Sequence, residues 1–426
     1  MKPSTAPKAT ASLLAASLLL ATQSQAEDAC CKNGACEKTA PETTFGLTGD
    51  WGGFRSSLKE HGYEVGATYT SELFANLKGG QKRSAVFDGL LKLTLDVNLE
   101  KAAGLSDASF RISGLYPHGT SGTLRNVGDA AIYSNIDSYD TYRLVDFWLE
   151  QKLLEGKLSL KVGQMRVDDE FGLTETAAVF INSSFGAPNP PATPMPIATY
   201  PVGALGIRLR VEPLEGLYGM AGIYDGNPSP GDFKDPTTGL TGNAARHGTD
   251  WALRKSEGTL YTGEIGYQRS AGAYPGAVRF GLLRHTDDFR DNAGGADHRS
   301  STSTYYVFDQ TVWQKSPSSK EGLSAFLRGT MAPKGSSSMD NSTQAGLVFT
   351  GLATEEDKIG LAYARNRFSP NQDGNPDRET ITELSYQVPV ASTLKIQPDF
   401  QYISHPGGTT VNNNAWVVGI RAILEF

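Results

Sequence analysis

One pattern constrains this chain more than any other. From about Glu64 onward, segments of roughly 9 to 14 residues alternate apolar and polar side chains with period two, and polar turns rich in Gly and Pro separate them. Leu91, Leu93, Leu95, Val97 and Leu99 fall on one face, and Lys92, Thr94, Asp96, Asn98 and Glu100 on the other. Leu205, Ile207, Leu209 and Val211 oppose Arg208, Arg210 and Glu212 in the same way. Candidate strands begin at about residues 64, 88, 107, 141, 157, 203, 217, 259, 277, 303, 322, 343, 357, 379, 392 and 413. That is roughly sixteen, and single-chain bacterial barrels carry an even number.

The connections sort by length. Links after odd strands run to roughly 10, 25, 36, 33, 16, 11, 13 and 9 residues, and those after even strands to roughly 6, 4, 4, 7, 7, 5 and 3. A Greek-key sandwich has no reason to sort its loops this way. An outer-membrane barrel has long loops at one end and short turns at the other. In hydrocarbon every backbone N–H and C=O must be paired within the protein, so the sheet must close on itself. A barrel of this size encloses water. The expected fold is all-β: an antiparallel transmembrane barrel of about 16 strands, with short periplasmic turns and long extracellular or inward-folded loops. Its aliphatic faces meet lipid and its charged faces line the lumen.

The N-terminus agrees. Lys2 and Lys8 precede an apolar run from about Ala9 to Ala21, and Ser24-Gln25-Ala26 offers the small residues a signal peptidase needs. Residues 1–26 read as a signal peptide, residues 27–45 as a polar tail and residues 46–426 as the barrel. After residue 26 no run reaches the roughly 18 apolar residues of a spanning helix. The chain's three cysteines, Cys30, Cys31 and Cys36, all lie in the tail, so no disulfide framework holds the fold. A zinc site there would lack its fourth Cys or His ligand. Nothing in the sequence calls for a metal or a cofactor. A net charge of −7, with no basic domain, argues against a nucleic-acid partner.

Three stretches resemble the carbohydrate-selective porin family of the OprB type. The first is Gly49-Asp50-Trp51-Gly52-Gly53-Phe54-Arg55, followed by Leu58, Gly62 and Glu72-Leu73-Phe74-Ala75-Asn76. The second is Tyr218-Gly219-Met220-Ala221-Gly222-Ile223-Tyr224-Asp225-Gly226-Asn227-Pro228. The third is Thr382-Glu383-Leu384-Ser385-Tyr386-Gln387, continuing into Gln397-Pro398-Asp399-Phe400-Gln401-Tyr402-Ile403 and Pro406-Gly407-Gly408. A proline inside a strand, as at Pro398, marks a special backbone position. The resemblance implies a sixteen-stranded outer-membrane channel that admits sugars such as monosaccharides by diffusion, with loops folded inward to narrow it. It also implies contact with outer-membrane lipid and a C-terminal aromatic, Phe426, read by the barrel-assembly machinery. Monomer and homotrimer both remain open, because contacts between copies would share the apolar outer face with lipid.

Parity names the lumen-facing candidates. Phe110 and Ile112 point outward, so Arg111 points in. Val145, Phe147 and Leu149 point outward, so Asp146, Trp148 and Glu150 point in; Trp148 could instead belong to an interfacial girdle. Arg208 and Arg210 follow from their own strand. The constriction falls to the loops after the third and fifth strands. The first carries His118 and Arg125. The second opens with Arg166, Asp168, Asp169, Glu170 and Phe171, and later carries Pro188, Pro190, Pro191, Pro194 and Pro196, which fix backbone angles and lower loop entropy. Any of these charges could also be a solvated group in a wide pore.

Rival functions have weaker support. A barrel hydrolase needs a nucleophile paired with a base. His61, His118, His247, His285, His298 and His405 sit in no nucleophile motif, and the chain has no Gly-x-Ser-x-Gly elbow. A soluble lectin would not sort its loops by length. A porin for other small solutes or ions is the closer alternative. Anion selectivity would call for a ring of Lys and Arg without acids, whereas this lining is mixed.

Overall fold

The computed structural model describes residues 45–186, 195–228 and 246–426, save residues 271, 318 and 373. The leader, the cysteine tail, Pro188, Pro190, Pro191 and Pro194 lie outside the described residues; Pro196 lies within them.

Sixteen strands close into one antiparallel barrel, each paired with its neighbours in sequence and β1 with β16. They are β1 (Tyr63–Gly80), β2 (Ala85–Asn98), β3 (Ala108–Gly119), β4 (Arg143–Leu153), β5 (Leu158–Met165), β6 (Ala204–Leu214), β7 (Leu217–Asp225) and β8 (Thr259–Arg269). The second half comprises β9 (Gly276–His285), β10 (Ser301–Gln314), β11 (Gly322–Met331), β12 (Met339–Thr350), β13 (Lys358–Phe368), β14 (Arg378–Ala391), β15 (Leu394–Ser404) and β16 (Asn413–Glu425). Leu93, Ile207, Phe280, Leu361 and Ile420 are exposed on the outer wall, while Glu72, Arg208, Glu264, Arg328 and Gln401 are buried on the inner one. That is the inside-out polarity of a barrel with lipid around it and loops within it.

Loop sorting holds for the longest links but not for all, since the link after β11 (residues 332–338) is no longer than the turns after β10 (residues 315–321) and β12 (residues 351–357). The link after β1, L1, spans only residues 81–84, because β1 runs on to Gly80. The long links are L2 (residues 120–142), L3 (residues 166–203) and L4 (residues 226–258). Register shifts break strict alternation in several strand pairs, among them β1–β16, β10–β11 and β12–β13, and the one between β3 and β4 falls beside the candidate residues. Ser113 pairs with Asp146 but Gly114 with Leu144, so Val145 is a bulge residue. It is 1% exposed, not turned to lipid as parity alone requires.

The closing pair of strands is tied at the turn-bearing end. A short helix, α1 (Phe54–Glu60), carries Arg55, whose guanidinium donates to the carbonyls of Val65 (3.1 Å) and Phe426 (3.3 Å). Asp50 accepts from the backbone N–H and hydroxyl of Ser56 (2.7 and 2.8 Å). The Phe426 N–H donates to the Ala67 carbonyl (2.9 Å). The first family-like motif is thus a clasp joining β1 to the C-terminus.

Candidate functional site

L3 folds into the lumen and crosses it. Val167 and Phe171 at its opening, with Met165 at the end of β5, pack against Tyr218, Tyr224, Leu260 and Tyr305 of β7, β8 and β10. Its later part packs with Val179, Phe180 and Phe185 against Phe326, Ala362, Ile381 and Ile403 of β11 and β13–β15. Two glycines make room. A Cβ on Gly222 would lie 3.2 Å from the Phe171 ring, and one on Gly360 2.7 Å from the Phe180 ring.

Polar tethers follow the same course. The Gly172 N–H donates to Glu264 (2.7 Å), and Arg279 donates to the Leu173 carbonyl (2.9 Å). The Thr176 N–H donates to Asp309 (3.0 Å), and Gln397 donates to the Val179 carbonyl (2.6 Å). Glu383 accepts from the N–H groups of Ile181 (2.6 Å) and Asn182 (3.0 Å). Asn182 also donates to Gln401 (3.0 Å), and Arg328 donates to the carbonyls of Ser184 (2.7 Å) and Gly186. A loop buried away from water must have its backbone groups satisfied, and wall side chains do it here. The second and third family-like motifs supply several of these partners.

L2 is docked beside it. Glu379 accepts from Ala130 and Ala131 (2.8 and 3.0 Å), Glu72 from the Ser134 hydroxyl (2.6 Å) and Asp88 from the Tyr133 hydroxyl (3.0 Å). Burial pushes the Asp137 carboxyl of L2 up to about 6, against hydrogen bonds from Ser121 and Thr123. Burial and nearby Glu379 push Asp129 up as well. In an undocked loop both would return toward the ordinary 3.8. The docked state therefore binds these protons more tightly. Its stability is fully present below about 3.8 and is lost as pH rises through about 6, by ~3 kcal/mol for Asp137 alone. Amide exchange across L2, corrected for intrinsic rates, should show stronger protection at about pH 4 than at about pH 7. Asp129→Asn with Asp137→Asn should shrink the difference; stronger protection at the higher pH would contradict this account.

Opposite the docked wall, β3–β6 and the start of L3 gather most of the candidates into one network. Arg208 lies between Glu150 and Glu170 (2.8 Å to each) and donates to the Ser159 hydroxyl (2.6 Å). Lys161 reaches the same two acids. Arg166 pairs with Asp169 (2.5 Å) and Asp168 (4.0 Å). Burial pulls the Arg166 guanidinium down, but Asp168 and Asp169 outweigh it and hold it above its ordinary value. Burial lifts Asp168 to about 6 even with Arg166 beside it. Asp146 is buried and accepts from the Ser113 hydroxyl. Trp148 has Lys161 4.0 Å and Arg111 5.6 Å from its ring centre. Arg111 pairs with Asp96 at 2.5 Å.

Exposure separates scaffold from surface. Arg111, Asp96 and Asp169 are 37%, 38% and 43% exposed, whereas the side chains of Arg208, Lys161, Glu150 and Glu170 are largely buried. The first three, with Trp148, face the water of the lumen. Beneath L3 lies a cavity of about 300 Å³ whose lining mixes polar side chains such as Glu175, Gln268, Asp309 and Lys358 with apolar ones such as Val179 and Val348.

The remaining candidates lie elsewhere. Arg210 pairs with Glu212 (3.1 Å) and stacks over the Tyr218 ring (3.8 Å), toward the turn-bearing end. Arg125 is exposed on the helical turn Thr123–Val127 of L2. His118 is not in the lumen. It still belongs to β3, opposite outward-facing Gly89, and stacks among Tyr69, Phe87 and Tyr116 on the outer wall. Lys161 was missed, although the run Leu158-Ser159-Leu160-Lys161-Val162 carries the parity that reveals it. Among the described residues, no group of three or more His, Cys, Asp or Glu is arranged to hold a metal ion.

Comparison with known proteins agrees with this architecture. Residues 82–426 match the family described as carbohydrate-selective porin, OprB family. Porin B of Pseudomonas aeruginosa is 29% identical over 427 residues, covering 89% of this chain and 91% of that protein. The putative porin QuiX of Acinetobacter baylyi is 24% identical over 419 residues, covering 89% and 93%. The high-pH structure of OprB from Pseudomonas putida superposes with a TM-score of 0.80 at 23% identity, covering 89% of this chain and 98% of that one. At that identity the likeness is one of fold.

Proposed function

The chain belongs to the OprB family of carbohydrate-selective porins, and from that premise we propose that a monosaccharide-sized sugar crosses the barrel along the β3–β6 wall, past Trp148, Arg111, Asp96 and Asp169. The protein is an outer-membrane channel and its chemistry is passage, not bond breaking. What supports this route is the split in the charged network. Its buried members saturate one another, while these few side chains keep contact with water. A sugar presents hydroxyls and an apolar ring face, so it needs donors, acceptors and an aromatic surface together. Arg111 offers donors, Asp96 and Asp169 acceptors, and Trp148 the aromatic surface. Each contact must be weak, because a tightly held solute would not leave.

Planar-bilayer recordings with a hexose as blocker test the route. Trp148→Ala and Arg111→Ala should each weaken the block by about 1 kcal/mol, roughly fivefold in half-blocking concentration. Arg125→Ala, away from the route, should leave it as it was. Unchanged block in both of the first two variants would move the route elsewhere in the lumen, without affecting family membership.

A further inference from the structure

The outer wall holds a feature that sugar passage does not use. Along β13 the outward-facing residues are Leu361, Tyr363, Arg365 and Arg367, running from mid-barrel toward the loop-bearing end, and all four are exposed. Six residues of strand cover about 20 Å, and tilt reduces that to about 15 Å of depth, from hydrocarbon to headgroups. Neighbouring strands keep the same layers. Leu361 pairs with Leu384, Tyr363 with Thr382, Arg365 with Thr380 and Arg367 with Arg378. Tyr402 and Trp416 continue the aromatic row on β15 and β16. This is an aromatic belt with a cluster of guanidiniums directly above it.

The cluster is short of anions. Arg367 is held by Asp340 (2.6 and 2.9 Å), and Lys334 reaches that same carboxylate at 4.0 Å. Arg378 has Asp377 beside it (2.5 Å). Arg365, the arginine nearest the aromatic belt, has no hydrogen bond or ion pair among the described residues. Four cations thus share two carboxylates. Arg367 and Arg378 are direct cross-strand partners, and like charges so placed repel. An anion arriving from outside the barrel would relieve both defects. At this depth in an outer membrane, the anion available is carried by a lipid.

We propose that the outer rim of β13 and β14 is a docking site for a phosphate-bearing acyl lipid of the outer leaflet. Arg365 and Arg378 take the phosphate oxygens, since a guanidinium fork matches phosphate geometry. Tyr363 and Leu361 lie along the acyl chains below. The site rests on the barrel's outer-membrane setting and is independent of the solute route.

Native mass spectrometry of the detergent-purified full chain tests it, with bisphosphorylated lipid A as probe. The wild-type chain should retain the lipid at roughly tenfold lower concentration than Arg365→Ala with Arg378→Ala. Lipid A stripped of its phosphates should bind the wild type no better than the intact lipid binds that variant. Arg365→Lys with Arg378→Lys, which keeps the charge but loses the fork, should fall between. Heat-modifiable migration and an unchanged hexose block show that each variant is folded; if the double alanine variant is not, Arg365→Gln alone carries the comparison. Equal retention by wild type and folded variants would overturn the proposal. So would displacement by inorganic phosphate at equal concentration, which would make this a free-anion site, or loss of association between copies with lipid retention unchanged.

Discussion

A channel carrying Glu383→Ala together with Arg328→Ala is expected to conduct several-fold better than the wild type and to lose hexose block. The two side chains hold the later part of L3 from opposite chemistries. Glu383 accepts from Ile181 and Asn182, and Arg328 donates to the carbonyls of Ser184 and Gly186. Hydrogen bonds to charged groups contribute about 1.5–3 kcal/mol each, so the four together stabilise docking by at least about 5 kcal/mol even if they do not add fully. Their loss leaves two N–H groups and two carbonyls facing a wall that no longer answers them. The aromatic contacts of Phe180 and Phe185 with Phe326 remain, but holding the loop there would keep those backbone groups dry at about 1–3 kcal/mol each. Hydrating them requires the segment to leave the wall, and that widens the lumen. Single-channel conductance, hexose block and amide exchange at residues 181–186 should change together. Wild-type conductance with those amides still protected would show that apolar packing alone holds the loop.

The barrel was legible because its signal is local. Alternation within a strand needs only the next few residues, and Leu91 to Val97 or Leu205 to Val211 reveal both the strand and its lumen side; Leu99, which continues the first pattern, instead opens a short helix after β2. Arg111, Asp146, Trp148, Glu150 and Arg208 were placed by the same parity. Three things escaped it. The bulge at Val145 depends on how β3 meets β4, and periodicity in β4 alone does not record that. The apolar pattern of β3 stops short of His118, so periodicity alone leaves that residue in a loop; β3 runs on to Gly119, and within the strand His118 turns outward. The tethers of L3 were invisible for a different reason. Glu383, Gln397 and Gln401 grip segments some two hundred residues earlier in the chain, and no local rule couples positions that far apart. The third family-like stretch did contain them. Its alternate residues Gln397 and Gln401 turn inward onto L3 and L2, while Pro398 faces out opposite Ile420, where the β14–β15 pairing is interrupted.

Arg208→Ala is the substitution expected to destabilise the β3–β6 wall most. The Arg208 side chain is 4% exposed and divides its guanidinium between Glu150 on β4 and Glu170 at the start of L3. Lys161 lies against the same two carboxylates, so the group is two cations and two anions out of bulk water. Removing one cation leaves a buried carboxylate without full compensation, at about 3–5 kcal/mol. The penalty comes from the orphaned charge and not only from lost attraction, so a second change should recover part of it. Arg208→Met with Glu150→Gln removes one charge of each sign, keeps the volume, and should be markedly more stable than Arg208→Ala. Arg208→Lys keeps the charge but cannot fork between two carboxylates, and should lie between. The temperature at which folded barrel converts to the slower-migrating band on a gel orders the three variants. Conductance noise should rise with Arg208→Ala, because Glu170 also anchors the opening of L3. Should the charge-neutral pair be no more stable than Arg208→Ala, the network would hold this wall by shape and not by balanced charge.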